Sequence, residues 1–68
     1  MAETVTGQAI GKVTASTTVN VRMSPSQDAE KIGVLAGGDS ADLLERVDDW
    51  CKINYNGTVG YVKAEFVQ

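Results

Sequence analysis

Residues 50–62 read WCKINYNGTVGYV, and the fold turns on this stretch. Asn56-Gly57 suits the two positive-φ positions of a type I′ turn, because Asn tolerates the left-handed region and Gly adopts it freely. Two strand-length runs, Trp50 to Tyr55 and Thr58 to Val62, therefore pair across it as a tight hairpin. The two-residue period of a strand then sorts the side chains. Cys51, Ile53 and Tyr55 share one face, while Trp50 and Lys52 share the other. Across the turn Gly60 and Val62 fall on one side, Val59 and Tyr61 on the opposite one.

Upstream the chain repeats this texture of short β-branched runs broken by turn formers. GKVTA (11–15), TTVNV (17–21), EKIGVLA (30–36) and SADLLERV (40–47) are all of strand length. ADLLERVDDW (41–50) comes nearest to a helix, with Leu43, Leu44 and Val47 at helical spacing. It follows Gly37-Gly38, however, and needs a strand neighbour in so short a chain. It is read as a strand with Ala41 and Leu43 facing inward. GGD (37–39) and Asp48-Asp49 supply reversals, and KAEF (63–66) has room for one 3₁₀ turn before Phe66 and Val67 return as a last strand. Short antiparallel strands in so small a chain imply an all-β barrel, since closure hides edges that an open sheet exposes. Residues 1–10, polar and Thr-rich, are expected to be a disordered linker or expression remnant, with the domain occupying 11–68.

Composition narrows the functions open to the chain. A domain of 68 residues buries only about 60 % of its unfolded surface, which leaves little room for a deep enclosed pocket. The net charge of −3 and the scattered six basic residues argue against a nucleic-acid partner, which needs Lys and Arg gathered on one face. No apolar run is long enough to cross a membrane as a helix, and MAETVTGQAIGK lacks the basic-then-apolar pattern of a signal peptide. If the native protein is exported, the chain is expected to be a piece of it. The single Cys forms no internal disulfide, and the absence of His removes Cys-His and Ser-His nucleophilic pairs and zinc sites built from His and Cys. The isolated chain is therefore expected to be no enzyme and to hold no cofactor or metal. The acids Asp39, Asp42, Glu45, Asp48 and Asp49 lack the ligand spacing of a calcium loop and are read as turn and solvation residues.

TVNVRMSPS (18–26), IGVLAGGD (32–39) and WCKINYNGTVGYV (50–62), in that order and spacing, resemble the bacterial SH3-like domain, often called SH3b. The similarity runs from about Gly11 to Val67. It implies a partly open SH3-like barrel of five to seven short antiparallel strands, used as an accessory module of exported bacterial proteins. Such modules are joined to cell-wall hydrolases or surface proteins and hold them on peptidoglycan by contacts with peptide or glycan strands. Ser24 stands where the family usually has Gly, Met23 where it has a small residue, and Cys51 where it favours an aromatic or polar one. In the family pattern Ile53 and Val62 are buried, which leaves Trp50 and Tyr61 on or near the open face.

The candidate ligand-binding residues are Asn20, Arg22, Met23, Trp50 and Tyr61. Exposed aromatics on a small rigid barrel offer wide apolar area at little entropic cost, a platform for sugar rings or extended peptides. With Val19 and Val21 inward, Asn20 and Arg22 point out beside the loop that begins at Met23. An amide there can donate to and accept from a peptide, and a guanidinium can fork onto a carboxylate. Met23 offers a thioether that adapts to several ligands. All of these but Tyr61, which is read as a groove residue, also have a plainer role. Trp50 caps one end of the barrel, Asn20 bonds to nearby backbone, Arg22 pairs with Asp28 or Glu30, and Met23 covers the rim of the core. Cys51, on the face of Ile53, is expected to be a buried, inert thiol.

The leading expectation is a non-catalytic module that targets a linked hydrolase or surface domain to peptidoglycan, outside the cell or in its wall, and that is monomeric in isolation. The alternative is an intramolecular domain that packs on a linked catalytic domain and shapes or blocks its cleft. Removing the module leaves turnover of a small soluble substrate unchanged in the first case and alters it in the second. Recognition of proline-rich helices ranks below both, because residues 22–30 contain no aromatic.

Overall fold

The computed structural model describes residues 9–68. Residues 1–8 of the expected linker lie outside the described residues; at its end, the Ile10 N–H donates to the Leu43 carbonyl at 2.7 Å. Six antiparallel strands follow: β1 (Gly11–Thr14), β2 (Val19–Arg22), β3 (Lys31–Leu35), β4 (Ser40–Val47), β5 (Trp50–Tyr55) and β6 (Thr58–Lys63). A 3₁₀ turn, η1 (Ala64–Phe66), comes last. The segment 40–47, ambiguous by spacing, is a strand, with Leu43 buried and Ala41 packed against the core.

The strands pair in the order β1-β4-β5-β6-β2-β3. The buried cluster takes Val13 from one end of that order and Val19 and Leu35 from the other, together with Cys51, Ile53 and Val62 from its middle. A sheet whose two ends share one core is coiled, so it forms a small barrel left unclosed between β1 and β3. Two irregularities help it bend: the register shifts between Val21 and Arg22 on β2 and between Leu43 and Glu45 on β4, and such bulges increase local twist. Glycines let the walls approach. A Cβ at Gly60 would collide with the Val21 side chain, and one at Gly33 with the Tyr55 phenol, which reaches across the interior from β5 to β3.

The turns follow the sequence chemistry. Asn56 and Gly57 carry φ of 54° and 88°, and the Gly57 N–H donates to Asn54 Oδ1 at 2.7 Å. At the β4–β5 reversal Asp48 takes φ of 54°, a conformation that Asp adopts more readily than most residues. The expected last strand is reduced to an isolated bridge between Val67 and Ala15, because η1 takes up Phe66. That bridge is reinforced by reciprocal bonds between Thr14 and Gln68, both 2.9 Å.

Candidate functional site

The face of β5 and β6 turned away from the core is built in rows. Lys52 stands opposite Tyr61, which stands opposite Arg22 of β2, so these three side chains cross the β5-β6-β2 surface in one line. One step along, Trp50 stands opposite Lys63, and Asn20 of β2 lines the same hollow as that pair. Directly opposed residues on one face of a sheet have their Cβ atoms about 4.5–5.5 Å apart, so each row is a set of contacting neighbours.

Along the Trp50 row lies a groove of about 500 Å³, with Val19, Asn20 and Arg22 on the β2 side and Trp50 and Lys63 on the hairpin side. Its far rim is the loop after β2, which contributes Gln27 and Asp28. That loop is held by its own bonds. Met23 N–H donates to the Glu30 carbonyl at 2.9 Å, closing the loop's base, and Asp28 N–H donates to Ser26 Oγ at 3.2 Å. Arg22 Nη1 donates to the Ala29 carbonyl at 2.9 Å. The guanidinium thus ties the loop's exit to the sheet through a neutral carbonyl, where charge alone suggests the carboxylates of Asp28 or Glu30. Its remaining N–H groups can serve a ligand.

Phe66 closes one end of the groove and is 42 % exposed, an aromatic left in water on so small a domain. Its position is set from both sides. Ala64 N–H donates to the Asp49 carbonyl at 2.7 Å, tying η1 to the β4–β5 turn. The Ser16 N–H and hydroxyl both donate to the Phe66 carbonyl, at 2.9 and 3.0 Å.

One expectation is corrected here. Trp50 is only 8 % exposed and does not present an open ring. Strand alternation places it on the outer face, as expected, but cross-strand neighbours cover it there: Val47 stands opposite on β4 and Lys63 on β6. The Lys63 Nζ lies over the indole at 5.2 Å from its centroid, its aliphatic stem covering apolar surface while the ammonium reaches water. Trp50 is therefore a wall of the groove rather than a free platform. Tyr61 is half-buried, beside the groove in line with Arg22. Asn20 is exposed, and its amide makes no hydrogen bond among the described residues, in place of the expected bond to nearby backbone. Met23 is half-buried at the base of the loop and does not line the groove. Cys51 is a free thiol, fully buried against Ile53 and Val62.

Sequence reasoning passed over Lys63 and Phe66. The two-residue period already sets Lys63 on the face of Tyr61, so its place was available; that of Phe66 depends on η1, which no period announces. A second hollow of about 270 Å³, between Asp39, Ser40, Asn54 and Asn56, has no cation in its lining. Among the described residues no group of His, Cys, Asp and Glu is arranged to hold a metal ion.

The family model for the bacterial SH3 domain matches residues 16–68, from just after β1 through β2 to β6 and η1. Strand β1 precedes the matched segment and supplies Val13 to the core. Curated proteins yield no match to the chain.

Proposed function

Since this chain belongs to the bacterial SH3 domain family, whose members are generally non-catalytic binding domains, we propose that it anchors a linked cell-wall hydrolase or surface protein to peptidoglycan from outside the cell. The observation that carries the reading is the meeting of Asn20, Arg22, Trp50 and Lys63 along one groove on a rigid sheet face. An extended peptide is served there by the free amide of Asn20, by the unspent N–H groups of Arg22 and by the exposed ring of Phe66 at the end of the Trp50 wall. The groove is shallow, so each binding event is weak. Linkage to other wall-binding or catalytic domains converts rebinding into a local event and supplies retention.

Co-sedimentation with purified peptidoglycan sacculi tests this role. The wild-type chain is retained in the pellet. The variant Asn20→Ala, which alters one exposed side chain of the groove, is retained less. Equal retention of wild type and of Asn20→Ala combined with Phe66→Ala, with both folded, removes the groove from the account.

A further inference from the structure

The face that carries the groove also gathers positive charge. Lys52 and Arg22 flank Tyr61 from its two neighbouring strands, and Lys63 lies two residues along β6 on the same face. Lys63 is thus a diagonal neighbour of both, at about 7–8 Å on a sheet surface. Half of the chain's six basic residues meet in this patch, although the chain as a whole carries −3. Two acids border it: Glu45, opposite Lys52 on β4, and Asp28 on the groove's rim. The contacts made by two of the charged ends are neutral. Arg22 donates to a carbonyl, and Lys63 rests over an indole. Neither contact cancels the charge, and the Tyr61 phenol at the centre adds a hydroxyl that can donate.

We propose that this patch selects for a carboxylate: the occupant of the groove is an extended peptide whose acidic group docks between Arg22, Lys52 and Lys63, while its apolar part follows Trp50 and Phe66. This rests on the peptide-binding reading above and narrows its ligand class. A guanidinium grips a carboxylate through paired N–H donors, and two ammonium groups add point charge without demanding one geometry. A short peptide with one acidic group suits the patch better than a phosphate polymer. The polymer's repeated charges would also meet the net negative field of the rest of the chain.

The test uses the whole chain, titrated at low and moderate salt and followed by amide shifts. The probes are a soluble muropeptide with free stem-peptide carboxylates, the same muropeptide with those groups amidated, and a poly(glycerol phosphate) chain. The proposal expects the carboxylate form to bind roughly tenfold more tightly than the amide, the size of one good charge-assisted contact. That preference should shrink with added salt and in the folded variants Lys52→Gln and Lys63→Gln. Equal binding of acid and amide, with shifts along the groove, overturns carboxylate selection and leaves the peptide-binding role standing. Tighter binding of the phosphate polymer than of either muropeptide also overturns it. Binding of none of the three overturns both readings.

Discussion

The ammonium of Lys63 stands 5.2 Å from the centre of the Trp50 ring, directly across the hairpin in register. A cation over an indole contributes about 0.5–1 kcal/mol at a partly exposed site, so the pair is a small element of stability and a large element of the groove's shape. It converts what alternation alone would leave as an open ring into a covered wall.

Lys63→Ala should therefore uncover the indole with little effect on folding. Trp50 is the chain's single tryptophan, so its emission reports on this site alone. The variant is expected to show red-shifted emission and stronger quenching by acrylamide, with a stability loss of about 1 kcal/mol or less. An unchanged spectrum would mean that Val47 and the groove rim cover the ring without help from Lys63.

Gly60 lies where β6 passes beneath Val21, a buried and β-branched side chain with little freedom to move. Gly60→Ala is expected to destabilise the domain by about 1–3 kcal/mol through overpacking. Adding Val21→Ala should recover part of that loss, because the two substitutions share the same space. Denaturant unfolding of the single and double variants measures the coupling. Strictly additive losses would show that the two residues do not meet.

Cys51 is inaccessible in the folded chain and surrounded by Ile53, Val62 and their neighbours. Its reaction with a thiol reagent is expected to follow the unfolding equilibrium, near zero under native conditions and complete in denaturant. Cys51→Ser should cost about 1–3 kcal/mol, since a buried hydroxyl replaces a thiol that behaves as a small hydrophobe. Rapid labelling of the native protein would place the thiol at the surface.

The strand pairings were largely legible in the chain because they rest on short-range chemistry. Asn56-Gly57 names its own turn, and the alternation around Val19, Val21, Cys51 and Ile53 names the buried face. The segment 40–47 could be read against its helical spacing because the glycines before it and the length of the chain left it a strand neighbour. Trp50 was not legible in the same way. A period of two tells which side of a strand a residue takes, but not what the fold lays over that side. Val59 makes the same point: it shares the outer face with Tyr61 and is nonetheless 4 % exposed. The role of Arg22 was half legible. Its outward direction follows from the period, whereas its bond to the Ala29 carbonyl depends on the shape of an eight-residue loop, 23–30, which Ser24, Pro25 and the bonds of Ser26 determine together.

The most direct test of the groove is a two-dimensional amide spectrum of the labelled chain, recorded while a soluble muropeptide is added. The account expects shifts gathered at Asn20, Arg22, Lys52, Tyr61, Lys63 and Phe66 and at the Trp50 indole N–H, with the hollow at Asp39, Ser40 and Asn56 unmoved. Shifts confined to that hollow, or none at saturating muropeptide, would contradict it.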